Sequence, residues 1–177
     1  MKYRLISAVT KDGYIAKFSG HLPKEWTSNE EQDFFVKDMK NCEFSIMGRV
    51  THELSYKENK KRIIFSRSRK KINHNNKNHI YFNSDEDSFN NIINLIKPIS
   101  KICILGGTLI NDYFFDRNLI DEMHLTIEPI VFNRGLPLFS KINFIDFDDK
   151  LKNMGYYVKI LETINTIGTK YICYAKK

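Results

Sequence analysis

The stretch Lys101-Ile102-Cys103-Ile104-Leu105-Gly106-Gly107-Thr108-Leu109 decides how the rest of the chain is read. Ile102 to Leu105 is an unbroken apolar run, the pattern of a parallel strand covered on both faces. Two glycines stop it, and the pattern beyond them predicts a helix over 108–115. A strand that ends on Gly-Gly and passes into a helix lets the backbone approach an anion, to which the helix start offers free N–H groups. By itself a Gly-Gly pair is equally a tight turn. The chain has neither the spaced glycines of a dinucleotide fingerprint nor a P-loop.

Outward from this junction the same strand-to-helix order recurs. Residues 3–9 read as a buried strand, Lys11-Asp12-Gly13 as a turn, and Tyr14-Ile15-Ala16 as a brief resumption. Thr27 or Ser28 caps a helix over 28–40, and Ser28 with Glu31, three residues on, makes a capping box. Phe44-Ser45-Ile46-Met47 is a short buried strand leading into Gly48-Arg49, with a helix over 51–56. Residues 62–66 and 80–82 are further strands, and Ser84-Asp85-Glu86-Asp87 opens a helix that carries Phe89, Ile92, Ile93 and Ile96 and stops before Pro98. Residues 123–127 and 129–132 read as one long, edge-tolerant strand. Residues 156–163 and 169–175, joined by Asn165-Thr166-Ile167-Gly168, read as a hairpin. Helices alternating with strands, closed by a hairpin, predict an α/β fold of three layers, α-β-α, on a mixed and mostly parallel sheet. Without internal repeat or linker, 177 residues predict one domain, 1–177.

Hydrophobic residues make up 42% of the chain and aromatics 13%, enough for a packed core and incompatible with a mainly disordered chain. The 28 Lys and Arg against 21 Asp and Glu leave a net +7, and the excess is local. Residues 57–71 hold eight bases and one acid, and the remainder of the chain is balanced. Such a stretch raises the question of nucleic acid, but its one aromatic residue, Phe65, is expected to point inward, and no reader motif accompanies it. Cys42, Cys103 and Cys173 are odd in number and far apart, so reduced buried thiols in a cytoplasmic protein are expected. The five histidines form no close set with Cys or acids, and no metal site is expected; residues 74–79 read as a solvated loop. With a strand-like run directly after Met1 no signal peptide is expected, and no apolar run approaches the roughly 20 residues of a membrane span.

Two more junctions match the first. Ile46-Met47-Gly48-Arg49-Val50-Thr51 ends a strand on Gly and offers a guanidinium and a hydroxyl, and Ile64-Phe65-Ser66-Arg67 places a hydroxyl and an Arg at another strand end. Each alone is equally a surface turn. Together they describe an extended anion held across strand ends. With Asp12-Gly13-Tyr14-Ile15-Ala16, Trp26-Thr27-Ser28-Asn29-Glu30-Glu31, the segment 119–131 and Gly135-Leu136-Pro137-Leu138-Phe139, their order resembles the dihydrofolate reductase superfamily over essentially the whole chain. Within it, the chain is most similar to stand-alone homologues of the reductase domain of the riboflavin-biosynthesis deaminase-reductase.

That resemblance implies a dihydrofolate-reductase-like fold and hydride transfer from NADPH to a small heterocyclic substrate. The substrate expected first is a phosphoribosylamino pyrimidine, as in 5-amino-6-(5-phosphoribosylamino)uracil reduction, and dihydrofolate is the alternative. It implies Ala8 and Ile15 at the nicotinamide, Gly48, Arg49, Val50 and Thr51 with Gly106, Gly107, Thr108 and Leu109 at the phosphates, and Ser66 and Arg67 with Arg49 at the 2′-phosphate. Glu31 falls at the position of the family's buried catalytic acid; Glu30 competes for the role, and a plain helix cap is the other reading of Glu31. The chain departs from dihydrofolate reductases in reading Leu22-Pro23-Lys24-Glu25-Trp26 before that helix and Thr108 after the glycines, and from the riboflavin enzymes in its Met-Gly-Arg. Relatives imply pairing of two copies through the C-terminal strands. A nucleic-acid-binding module using residues 57–71 is the reading from another class.

Overall fold

Six runs rich in Ile, Leu, Val and Phe lie side by side in parallel. They are β1 (Lys2–Thr10), β3 (Cys42–Gly48), β4 (Arg62–Phe65), β5 (His79–Phe82), β6 (Lys101–Ile104) and β7 (Glu122–Glu128). With the hairpin of β9 (Tyr156–Thr163) and β10 (Lys170–Lys176) they form one sheet in the order β5-β4-β3-β6-β1-β7-β10-β9, β10 running antiparallel to both β7 and β9. Between them run β2 (Tyr14–Ala16), which pairs with β8 (Leu136–Pro137), and the helices α1 (Asn29–Met39), α2 (Arg49–Leu54), α3 (Phe89–Ile96), α4 (Thr108–Asp116) and α5 (Phe147–Asn153). This computed structural model describes residues 1–67, 77–98 and 100–177. The expected mixed, mostly parallel sheet with an antiparallel C-terminal hairpin is present.

The two faces of the sheet differ in chemistry. In register, Leu5 lies between Ile104 and Met123, Ile104 beside Ile46, and Ile46 beside Ile63. Side chains alternate along a strand, so this row shares one face, where Phe89, Ile92, Phe114, Phe147 and Leu151 of α3, α4 and α5 complete the core. One residue along, the opposite face carries Arg62, Ser45, Cys103, Arg4 and Glu122 side by side, and α1 and α2 lie over it.

Several elements differ from the sequence expectation for identifiable reasons. β7 is an interior strand between β1 and β10 and ends at Glu128, so residues 129–132 are not its continuation. Its alternation of polar and apolar residues looks like that of a strand with one wet face, but Glu122, His124, Thr126 and Glu128 are all buried. At α1, Ser28 Oγ accepts from Glu31 N at 3.3 Å, yet Glu31's carboxyl turns away to β7, so only half of the capping box forms. α2 starts at Arg49 rather than at residue 51. α3 starts after its cap Ser88, because residues 84–87 form a turn closed on the Asn83 carbonyl. α5, marked in sequence only by Phe147 and Leu151 one turn apart, was not anticipated.

The cysteine expectation is corrected in part. Cys42 and Cys103, 61 residues apart in sequence, sit on adjacent strands with Cα atoms 5.7 Å apart and are joined as a disulfide. Cys173 is a free, buried thiol as expected. His79 begins β5, buried, with Nε2 3.1 Å from the Lys57 carbonyl, rather than closing a solvated loop; residues 74–76 lie outside the described residues. Among the described residues, no cluster of His, Cys, Asp and Glu has the arrangement of a metal site, and no helix is long and apolar enough to cross a membrane.

Met123 is fully buried in the core, whereas Leu109 is 76% exposed at the start of α4. Met123→Ala should therefore lower the unfolding free energy by about 2–5 kcal/mol in denaturant titrations, and Leu109→Ala by about 0.5 kcal/mol or less. Equal effects would contradict this placement of the core.

Candidate functional site

Parallel strands present their carboxyl ends along one edge of the sheet, and ligands of open α/β sheets bind outside that edge. Here the edge carries Thr10, Gly48, Phe65, Phe82, Ile104 and Glu128, followed by Ser66 and Arg67 after β4 and by Gly106 and Gly107 after β6. α1 crosses the polar face of β7 close to it.

Two carboxyl groups meet there with different surroundings. Glu128 accepts from Ser28 N at 2.7 Å, Ser28 Oγ at 2.8 Å and Thr169 Oγ1 at 2.6 Å, which joins the start of α1 and the final hairpin to β7. Glu31, only 4% exposed, accepts from Thr126 Oγ1 at 3.3 Å. Burial pushes its carboxyl above the ordinary carboxylate range; the Thr27 and Thr126 hydroxyls work the other way, and the charge of Glu128 adds a smaller push upward. Just before the cap, Trp26 Nε1 is buried with no hydrogen-bond partner among the described residues. Leaving a buried donor unpaired costs about 1–3 kcal/mol, so this group is where a bound polar ring or water would be held. Trp26 is fixed by its edge-on contact with Phe132, ring centroids 5.1 Å apart. Glu30, the competitor for Glu31, is exposed and 3.4 Å from Asn165 Nδ2.

The glycines lie at two other strand ends of the same edge. Gly48 N–H donates to the Gly106 carbonyl at 3.2 Å, tying together the ends of β3 and β6. A Cβ on Gly107 would meet only Ile15 Cδ1, at 3.9 Å, and one on Gly48 only Ile110 Cδ1, at 3.5 Å. Gly106 has φ +79°, a conformation that favours glycine, and the Gly106–Gly107 peptide is cis. α2 and α4 start from Gly48 and Gly107 with no side-chain cap, leaving their first N–H groups to other partners. Ala8 lies in register with Thr126, the residue that touches Glu31. Ala8, Ile15, Gly48, Gly106, Gly107 and Glu31 thus come to one stretch of the sheet edge.

Other expected residues are placed less directly. Thr108 Oγ1 donates to the Pro137 carbonyl and so serves the β8 loop, while Leu109 is exposed beside it. Arg49 is exposed and paired with Glu53 at 3.0 Å along α2; Val50 is exposed and Thr51 half-buried. Ser66 is buried, with its N–H on the Phe82 carbonyl, and Arg67 is exposed just beyond it. Phe65 packs inward on Phe82, as expected of the basic stretch's one aromatic. Arg62, counted in that stretch, is buried and donates to the Ser55 carbonyl at 2.7 Å, so it is a structural cation. Residues 68–71 lie outside the described residues.

Trp26, Thr27, Thr126 and Glu128 were not singled out from the sequence. The polar face of β7, read as a wet edge, was the available signal. Asp12 was likewise seen only as a turn residue, yet it accepts from Thr10 Oγ1 at 2.6 Å and from the N–H groups of Phe132 and Asn133. It clamps the β1–β2 turn to the loop that supports Trp26. Burial opposes its charge, but these donors outweigh burial and hold its carboxyl below the ordinary range.

No protein-family model matches the chain. YyaP of Bacillus subtilis (strain 168), a protein described as uncharacterized, is 27% identical over 155 residues, covering 76% of this chain and 78% of that protein. A protein from Shewanella sp. PV-4 whose name assigns it to riboflavin biosynthesis superposes with a TM-score of 0.74 at 21% identity, over 100% of this chain and 99% of its own. Dihydrofolate reductase from Enterococcus faecalis, complexed with NADP(H) and RAB-propyl, superposes with a TM-score of 0.68 at 17% identity, over 99% and 96%. The fold of this chain is that of the dihydrofolate reductases.

Proposed function

We propose that the chain is an NADPH-dependent reductase of a small heterocyclic substrate, of the riboflavin-biosynthesis type. One observation carries this reading. A buried carboxyl, Glu31, lies over the carboxyl end of β7 beside Ala8, on the same sheet edge as the Gly48 and Gly106–Gly107 strand ends. Fold likeness to reductase-type proteins, one of them complexed with NADP(H), supports it.

The residues present suit the cofactor. Gly48 and Gly107 leave room for a phosphate chain against the backbone, and the uncapped starts of α2 and α4 supply N–H groups. Arg49 and Arg67 would meet the 2′-phosphate, and Ile15 and Ala8 the nicotinamide. When bound, NADPH supplies the hydride. The chain's own residues do the rest. Glu31, its carboxyl raised by burial, donates a proton to, or anchors, a ring nitrogen. Thr126 orients its carboxyl, Glu128 holds the helix start, and the loop bearing Trp26 keeps water out.

NADPH should raise the melting temperature, worth about 2.7 kcal/mol at a hundredfold excess over Kd, and NADH should do so less. No shift with either cofactor would refute the reading. Arg67→Ala should cut the NADPH-over-NADH preference by about tenfold, the value of one lost charge-assisted contact. NADPH oxidation followed separately with the ribosylamino-pyrimidine and with dihydrofolate then separates the two substrates.

Glu31 also makes a stability prediction. Its folded-state carboxyl lies above its unfolded value, so the carboxyl favours folding at acid pH and opposes it once pH rises through the folded value. Glu31→Gln, which cannot ionise, should match wild type in thermal melts at acid pH and exceed it at mildly alkaline pH, while losing turnover. Equal stability across the range would argue against a buried, raised Glu31.

Self-association follows from the hairpin. β9 is an edge strand with Tyr157, Val158, Ile160 and Leu161 exposed, and a second copy pairing there would cover it. Light scattering should give a dimer for wild type and a monomer for Val158→Lys/Ile160→Lys; a monomeric wild type would dispose of this pairing.

A further inference from the structure

α1 is an unusual helix, because Glu31 is its one buried residue. Val36 is 55% exposed, and Phe34 only leans on the ring of Tyr171, with centroids 4.9 Å apart. Helices in proteins are ordinarily held by an apolar stripe. α1 lacks a broad one and is fastened by polar contacts at both ends.

The spacing shows how. Glu31 and Asp38 are seven residues apart, about two turns, and so share a face. Thr126 and His124 are two residues apart on β7 and share a face of the sheet. Thr126 Oγ1 meets Glu31 at 3.3 Å, and His124 Nδ1 meets Asp38 Oδ2 at 2.9 Å. The helix is pinned to one strand at two points. At the Asp38 end the pin is an ion cluster: Arg4 Nη1 is 3.6 Å from Asp38 Oδ1 and Arg4 Nη2 2.7 Å from Glu122 Oε2. Tyr171 OH lies 2.5 Å from His124 Nδ1 and donates to Asp38 Oδ2 at 3.4 Å. His124 Nε2 is 3.5 Å from both Glu122 Oε2 and Cys173 Sγ, and Lys159 Nζ is 3.7 Å from Glu122 Oε1.

We propose that this cluster is a positioning device for Glu31: Asp38, gripped by His124, Arg4 and Tyr171, sets how deeply α1 lies on β7 and so how far the Glu31 carboxyl is withdrawn from water. The importance of Glu31 for catalysis rests on the functional reading above; its position does not. The charge states agree with the grip. Burial opposes protonation of His124, but Asp38 and Cys173 outweigh it and raise the imidazole to about 9. Burial opposes the charge of Glu122 too, and Arg4, His124 and Lys159 overcome it and lower that carboxyl to about 2. At neutral pH His124 and Glu122 are therefore both charged, and Asp38 is held from three sides.

The test reads Glu31 directly. Its carboxyl carbon, in 13C-Glu-labelled protein, is assigned by its disappearance in Glu31→Gln and titrated by NMR. Tyr171→Phe removes one hydroxyl and keeps the ring against Phe34. Asp38→Asn/His124→Asn removes one charge of each sign, so the field at Glu31 changes little while the grip is lost. The Glu31 midpoint should fall by roughly one pH unit in the double variant and by less in Tyr171→Phe, as water reaches the carboxyl. Affinity for NADPH, whose proposed phosphate-binding residues lie at the β3, β4 and β6 ends away from the cluster, should stay within about twofold. A midpoint that moves in Asp38→Asn but not in the double variant reports only the lost charge and overturns the proposal. So does an unmoved midpoint in a cooperatively melting Tyr171→Phe, which decides the matter if the double variant does not fold. A shifted midpoint in a protein that NADPH does not stabilise upholds the positioning role and rejects the cofactor reading.

Discussion

The buried polar face of β7 is the constraint on which the rest of this structure depends. Glu122, His124, Thr126 and Glu128 point to one side of the strand and Met123, Leu125 and Ile127 to the other. A one-residue slip against β1 would send the four polar groups into the core formed with α3, α4 and α5 and lift the apolar ones under α1. Each buried polar group left without a partner costs about 1–3 kcal/mol, so the register is strongly specified. The same face selects what covers it. Ser28, Glu31 and Asp38 of α1 and its cap meet Glu128, Thr126 and His124 in turn.

From this follows a division of labour between the two sides of the sheet. One side is ordinary hydrophobic core, with fully buried Leu5, Ile46, Ile63, Ile104 and Met123 side by side. The other carries charges from Arg62 across to Glu122, each needing a partner, and it ends at the strand edge that Glu31 shares with the Gly48 and Gly106–Gly107 strand ends. Stability and chemistry thus use different faces of the same strands. A substitution on the apolar face acts on folding first, and one on the polar face acts on both.

The basic stretch shows how a sequence feature can be split by its tertiary context. Residues 57–71 read as one cationic block, yet Arg62 is buried under α2 and donates to the Ser55 carbonyl, and Ser66 is buried at the end of β4. Arg67 lies exposed immediately beyond the strand end. The described part of the block, residues 57–67, is a buried cation, a strand end and an exposed rim rather than a uniform surface.

The sequence by itself determined the local elements and the class of fold. Apolar runs such as Ile102–Leu105, the glycines that stop them, the cap at Ser28 and the hairpin signal act over a few residues and can be read in order. It also placed the paired glycines and the acid of the first helix. Only the tertiary structure decided what depends on distant neighbours. Glu31 could be a cap or a buried acid until β7 drew its carboxyl away from the helix start. The alternation of β7 marked a polar face but not whether water or α1 would cover it. Cys42 and Cys103 became neighbours only because β6 inserts between β3 and β1, although it follows both in the chain. Burial and partnership are properties of what packs against a residue, and the elements that pack here come from opposite ends of the chain.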